Sequence, residues 1–181
     1  HFYPYKIFGV LLKILSYLEI NKNVSFVRAM PNTSSRFDLG ITALFNCSFQ
    51  KTDMAYIKGL FKKFGRVIEF DYESKMDQFT GLVGSGPAYF FYLLKTYEKE
   101  LLKMCNGNKD EVAAIMTYLL EGVSKSIQVN DNLDELIKMV ASKKGTTEAG
   151  LKSFSTSNIS KIFKNGLKKA IERSKEISNE Y

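Results

Sequence analysis

The sequence has no tryptophan, three prolines, two cysteines and a single histidine, His1. Two cysteines, Cys47 and Cys105, are too few for a disulfide scaffold. One terminal histidine and two scattered cysteines leave no Cys/His set for zinc, so no metal site is expected. Long hydrophobic runs are also missing. Ile7 to Leu18 is apolar but contains Lys13, falls short of the ~20 residues a membrane helix needs, and is followed by no small-residue cleavage site. Pro87 to Leu94 is as short and leads into Lys95, Glu98, Lys99 and Glu100. Neither a membrane span nor a signal peptide is expected, and unpaired cysteines fit a reducing cytoplasm. The Gly-x-x-x-x-Gly-Lys-Ser/Thr phosphate loop is absent, and so is any Gly-x-Gly-x-x-Gly. No internal repeat or low-complexity tract occurs.

What remains is an ordinary globular composition. Of 181 residues, 45% are hydrophobic and 25% charged, enough for one domain or two small ones with a real core. The net charge of +7 raises the question of a nucleic-acid partner. The most basic segment holds Lys161, Lys164, Lys168, Lys169, Arg173 and Lys175, with Glu172 and Glu176 among them. No exposed aromatics interleave with these residues and no nucleic-acid motif accompanies them, so they read as a solvated helix face. No nucleic-acid partner is expected.

Apolar spacing organises the chain. Phe8 to Glu19 reads as a helix, Val24 to Ala29 and Ile41 to Phe49 as strands. Met54 to Phe64 reads as a helix with Asp53 as N-cap and Gly65 as C-cap, and Arg66 to Tyr72 as a third strand. This alternation belongs to an α/β sheet. After Tyr72 only helices are expected: Ser74 to Thr80, Ala88 to Met104, Asp110 to Val129 (capped by Asp110), Asp131 to Met139, one opening at Gly145-Thr146-Thr147, and Ser160 to Ile177. The predicted boundary falls between residues 72 and 80, giving domains of 1–75 and 76–181. Phe90, Phe91, Tyr92, Leu93 and Leu94 cover most of one helix's circumference, which calls for burial on all sides. A dimer would bury them; packing under the α/β part of the same chain is the alternative.

Three short motifs stand out. Arg28-Ala29-Met30-Pro31-Asn32-Thr33 ends a predicted strand, where ligands of open α/β sheets bind, although a plain turn explains it too. Gly84-Ser85-Gly86-Pro87-Ala88-Tyr89 lies in the densest glycine cluster. It reads as a tight, closely packed turn, with Ser85 able to cap the helix that Pro87 starts. Ser142-Lys143-Lys144-Gly145-Thr146-Thr147-Glu148 runs into a helix start whose free N–H groups suit a carboxylate or phosphate. Ordinary capping by Thr146 is the other explanation.

In this order the motifs resemble the pyrroline-5-carboxylate reductase family, whose pattern runs roughly R-x-M-P-N-T-P, T-A-L-S-G-S-G-P-A-Y and V-T-S-P-G-G-T-T. Here they stand as RAMPNTS from Arg28, TGLVGSGPAY from Thr80 and VASKKGTTEAGL from Val140, and the likeness spans about residues 24 to 175. The resemblance implies part of a Rossmann-type NADP-binding domain followed by an all-α dimerisation domain. Its members act as homodimers or higher homo-oligomers, and use NADPH to reduce 1-pyrroline-5-carboxylate to L-proline, the last step of proline synthesis. It implies that Thr147 is the catalytic hydroxyl facing the imine nitrogen. It further implies that Val140, Ser142, Gly145, Thr146 and Thr147 hold the substrate, and that Met30, Pro31 and Asn32 lie near the nicotinamide. The family's Pro-Gly in the carboxylate loop is Lys143-Lys144 here, Val83 replaces a serine and Gly81 an alanine. The family's early Rossmann half, with its pyrophosphate-binding glycines, has no counterpart; His1 to Glu19 reads as the tail of that half. The expectation is therefore an N-terminally truncated member that alone binds NADPH weakly or not at all. The alternative is a truncated, inactive relative that still folds as a helical dimer.

Overall fold

The computed structural model describes residues 27–47 and 54–180. The helix expected over Phe8 to Glu19, the first residues of the Val24 strand, the end of the Ile41 strand and the Asp53 cap lie outside the described residues. The chain divides into two compact units. One comprises the residues up to Ala88 together with those from Asn165 onward, the other Tyr89 to Lys164.

The first unit is built on three strands, β1 (Val27–Pro31), β2 (Gly40–Asn46) and β3 (Gly65–Phe70), in the order β1-β2-β3. β1 pairs antiparallel with β2, Arg28 opposite Phe45 and Met30 opposite Ala43. β2 and β3 pair in parallel, from Gly40 opposite Gly65 to Phe45 opposite Phe70. Parallel neighbours need a crossover, and helix α1 (Met54–Lys62) supplies it. The β1–β2 link is a short 3-10 turn, Thr33–Phe37, closed by Asp38 in the left-handed region at φ 60°. Gly65 opens β3 rather than only closing α1. It has φ +132°, and a Cβ there would run into the Gly40 backbone, so only glycine fits this strand start.

Helix α2 (Ser74–Phe79) packs on the sheet. Ala43, Met76 and Phe79 form a core against which Met30, Ile41, Phe45, Ile68, Phe70 and Val83 pack. Phe70 and Phe79 meet edge to face with centroids 6.0 Å apart, a favoured aromatic geometry. The glycine cluster expected as a tight turn is instead one π-helical turn, Thr80–Gly84, continuing α2. Ser85 N–H donates to Thr80 O at 3.0 Å, and Thr80 Oγ1 donates to Met76 O at 2.8 Å. Side-chain bulk is missing where the backbone needs room. A Cβ on Gly81 would come within 2.8 Å of the Ile171 backbone and side chain.

Ile171 belongs to the last helix, α7 (Ile159–Asn179), whose later half returns to the first unit. A buried polar chain holds it there. Arg28 Nη1 donates to Glu73 Oε1 at 3.0 Å, and Arg28 Nη2 lies 3.9 Å from Asp77 Oδ1. Asp77 Oδ1 accepts from Ser174 Oγ at 3.2 Å and Ser178 Oγ at 2.8 Å. Arg28, Asp77 and Ser174 are all buried, where charges persist only when paired and hydrogen-bonded. This network ties β1, α2 and α7 together.

The second unit holds most of α3 (Gly86–Met104), then α4 (Lys109–Val129), α5 (Leu133–Val140), α6 (Thr146–Thr156) and the start of α7. No strand follows Phe70 among the described residues. Asparagines set the helix starts. Asn108 rather than Asp110 caps α4, accepting from Glu111 N–H at 3.1 Å, and Asn132 caps α5, accepting from Glu135 N–H at 3.2 Å. The aspartates and glutamates that follow sit in the first turns, where the helix dipole favours negative charge. Tyr89 and Phe163 pack edge to face at 6.3 Å. Within this unit only Leu101 and Val112 are buried large apolar residues.

Candidate functional site

The expected site residues fall into two groups, one in each unit. Met30 and Pro31 end β1, and Asn32 begins the turn beyond it. Asn32 locks that turn. Its N–H donates to Ile41 O at 3.2 Å, its Oδ1 accepts from Ile41 N–H at 3.0 Å, and its carbonyl accepts from Ser35 N–H at 3.2 Å and Ser35 Oγ at 2.8 Å. The side-chain oxygen is therefore committed to the fold, and the Nδ2 amide is the part of the side chain open to a ligand. The methyl of Met30 lies 2.9 Å from where a Cβ on Gly84 would stand. The structure thus joins the first motif to the second through Met30 on Gly84, and Arg28 of the first motif binds Glu73 ahead of the second. The glycine of the second motif makes room for the methionine of the first.

The third motif lies in the second unit. Val140, exposed, is the last residue of α5, and Ala141 N–H donates to Ile137 O at 3.0 Å. The chain then turns sharply. Gly145 N–H donates to Ser142 O at 3.0 Å, and Lys144 sits at φ 59°. Lys143 is not among the residues with positive φ. A negative φ at the second position and a left-handed φ at the third define a type II turn, whose preferred occupants are proline and glycine. Lys143-Lys144 adopts that geometry without either residue. A non-glycine residue in this region costs about 1–2 kcal/mol. The side chain of Ser142 folds over Gly145, so that a Cβ on Gly145 would collide with it.

Helix α6 begins with Gly145 as N-cap in extended backbone, φ −85° and ψ 172°, and no side chain caps it. Thr146 is thus the first helical residue and not the cap. Gly145's own N–H is used inside the turn. The N–H groups of Thr146 and Thr147 have no intrahelical acceptor at this end and remain for a ligand. Thr147 is half-buried, while Ser142 and Thr146 are exposed. Glu148 reaches back, its Oε2 accepting from Lys144 N–H at 2.6 Å, a charge-assisted bond. An acid at the third helical position that reaches back to a preceding N–H resembles half of a capping box, here one residue beyond the cap. A groove lined by Ala141, Lys144, Gly145, Glu148, Ala149 and Lys152, among others, adjoins the loop. The network of Arg28, Glu73, Asp77, Ser174 and Ser178 had no sequence signal, because its partners are up to 101 positions apart.

Cys47 Sγ donates to Phe45 O at 3.7 Å, and burial pushes its thiol above the ordinary cysteine range. It therefore lacks the thiolate character of a nucleophile. No group of three or more His, Cys, Asp or Glu able to hold a metal ion occurs among the described residues. No helix among them is long and apolar enough to cross a membrane.

Comparison with known proteins bears on these motifs. The family model for pyrroline-5-carboxylate reductase dimerisation matches residues 73–177. A pyrroline-5-carboxylate reductase of Staphylococcus haemolyticus is 35% identical over 153 residues, covering 83% of this chain and 56% of that protein. One from Staphylococcus aureus is 36% identical over 154 residues, with coverage of 84% and 56%. The chain spans about half the length of these curated relatives. The solved pyrroline-5-carboxylate reductase of Coxiella burnetii superposes with a TM-score of 0.79 at 26% identity, covering 92% of this chain and 62% of that one. The pyrroline carboxylate reductase of Plasmodium falciparum, solved with NADP bound, superposes at 0.80 with 23% identity over 91% of this chain and 63% of that one, a likeness of fold.

Proposed function

Because the chain belongs to the pyrroline-5-carboxylate reductase family, we propose that it supplies the substrate-holding and subunit-pairing part of an NADPH-dependent reductase that converts 1-pyrroline-5-carboxylate to L-proline. The match of the dimerisation model to residues 73–177 carries this reading. In it, residues up to 75 belong to a Rossmann-type cofactor domain and 76–181 to a helical domain that dimerises, in a cytoplasmic enzyme.

The cofactor fits this chain at one end. The Met30-Pro31-Asn32 turn, seated on Gly84 at the end of β1, offers a rigid edge and the Asn32 amide to a nicotinamide. NADPH, when bound, supplies a hydride for the C=N carbon of the substrate. The rest of the work falls to the chain's own groups. Ser142 Oγ and the N–H groups of Thr146 and Thr147 hold the substrate carboxylate, aided by the positive end of α6. Gly145 contributes by shaping the turn, since its N–H is already used. Val140 flanks the loop from the end of α5. The Thr147 hydroxyl faces the imine nitrogen and donates a hydrogen bond to it, steadying the charge that changes there.

The test is a chimera in which the N-terminal part of the Staphylococcus haemolyticus relative precedes residues 27–181 of this chain. NADPH consumption with 1-pyrroline-5-carboxylate is expected. Thr147→Ala should lower it about 10²-fold at an unchanged melting temperature. A folded chimera without turnover overturns the function, and full turnover in Thr147→Ala removes that residue from the mechanism.

A further inference from the structure

Resting on the proposed nicotinamide role of the Met30-Pro31-Asn32 turn, we infer that Asp77, Ser174 and Ser178 are positioning residues for that turn, so that the last helix of the chain sets how the nicotinamide is held. A polar and an apolar route lead from α7 to the turn, both inside the first unit. The polar route starts at Ser174 and Ser178, whose hydroxyls donate to Asp77 Oδ1 at 3.2 and 2.8 Å. Asp77 Oδ1 lies 3.9 Å from Arg28 Nη2, and Arg28 Nη1 donates to Glu73 Oε1 at 3.0 Å. Glu73 and Asp77, one helical turn apart, thus grip a single guanidinium from the start of α2. Arg28 and Met30 alternate with Ala29 along β1 and share one face of the strand. The apolar route runs through the π-helical turn. Ile171 of α7 packs on Gly81 at one end of it, and the Met30 methyl packs on Gly84 at the other.

Stability alone does not account for the polar route. A buried ion pair adds little over apolar packing of the same volume, because desolvation offsets the attraction. What hydrogen-bonded charges add is direction and distance, and here they act on the strand that ends in the turn. Arg28, Asp77 and Ser174 are all buried, so water does not loosen their geometry. The turn follows β1 as one piece, since Asn32 Oδ1 is held by Ile41 N–H and the Asn32 carbonyl by Ser35. A shift of Arg28 is therefore carried to the Asn32 amide, the group offered to the nicotinamide.

The test compares Asp77→Asn, Ser174→Ala/Ser178→Ala and Ser178→Thr in the chimera with the Staphylococcus haemolyticus N-terminal part. Asp77→Asn keeps an oxygen for the serines and removes the charge facing Arg28. Asp77→Asn and the double alanine variant are expected to raise the KM for NADPH about fivefold, with the KM for 1-pyrroline-5-carboxylate unchanged. Ser178→Thr, which keeps the hydroxyl, should behave as wild type. A merely structural role would lower kcat through the folded fraction and leave both KM values alone. That outcome, an equal rise in both KM values, or a Ser178→Thr as impaired as the double alanine variant overturns the inference. Should the double variant not fold, Ser178→Ala alone decides by the same criteria, since Ser178 is only half-buried. A second readout needs no cofactor: in the 181-residue chain, Asp77→Asn should move the NMR resonances of the Asn32 side-chain amide. Unmoved resonances overturn the inference while leaving the reductase reading intact. A folded wild-type chimera without turnover overturns that reading, and the nicotinamide role of the turn with it.

Discussion

In the sheet-containing unit Met76 and Leu44 are fully buried, whereas in the helical unit Phe91 is 67% exposed and Tyr92 77% exposed. Phe90, Leu93, Tyr118, Val123, Ile127, Met139 and Phe154 are exposed as well. The first unit closes a core with what one chain provides. The second leaves many apolar side chains of its helices exposed, those of the all-round apolar stretch of α3 among them. These are more than the scattered exposed apolar residues of a monomer. The contrast teaches that the two units are built differently: one folds around its own core, the other keeps much of its apolar side-chain surface outward.

The sharpest way to break this comparison is Phe91→Asp. In a monomer the change is nearly neutral, because the side chain is already exposed. In a dimer that buries α3 it places a charge in an apolar interface. Light scattering should give twice the chain mass for wild type and the single chain mass for Phe91→Asp. A wild-type monomer at micromolar concentration would contradict the pairing. A smaller effect should come from the first unit. Met76→Ala removes a fully buried side chain and should cost about 3 kcal/mol in denaturant unfolding, by lost transfer energy and a residual cavity. A cost under 1 kcal/mol would mean that core is loosely packed. The smallest effect concerns the turn before α6. Lys144→Gly relieves the left-handed strain but adds freedom to the unfolded chain. The net should be a stabilisation of roughly 0.5 kcal/mol. A destabilisation would show that the lysine side chain has a role the turn geometry does not express.

Most elements were legible because their signals are local. The apolar spacing of Met54 to Phe64 and Asp110 to Val129 anticipates α1 and α4 closely, and the β-favouring runs anticipate all three strands. Direction within the sheet was not legible, because the β1–β2 antiparallel pairing depends on the 3-10 turn at Thr33–Phe37, which has no strong signature. The cap of α4 was misplaced by two residues. Asn108 and Asp110 are both good caps, and only the hydrogen bond to Glu111 decides between them. The glycine cluster was expected as punctuation, yet Gly81 and Gly84 serve close packing within a continuous helix. In the candidate site, the helix start after Gly145 was readable from glycine and the small hydroxyl residues around it. The diversion of Gly145 N–H into the turn and the binding of Glu148 to Lys144 were not, since both require the backbone path.

The polar chain from Arg28 through Asp77 to Ser174 and Ser178 has a consequence for how the protein is made. It joins positions up to 101 apart and draws the later half of α7 onto a unit that begins before the helical one. During synthesis, Asp77 leaves the ribosome about a hundred residues ahead of the serines that will solvate it. Until then Arg28 and Glu73 are its company, and the Gly81 surface that receives Ile171 stands open. The helical unit can form earlier, because Tyr89 to Lys164 is contiguous. The sheet-containing unit, although it carries the denser core, is completed last, and a nascent chain stalled before Ser174 would hold its buried aspartate half-satisfied.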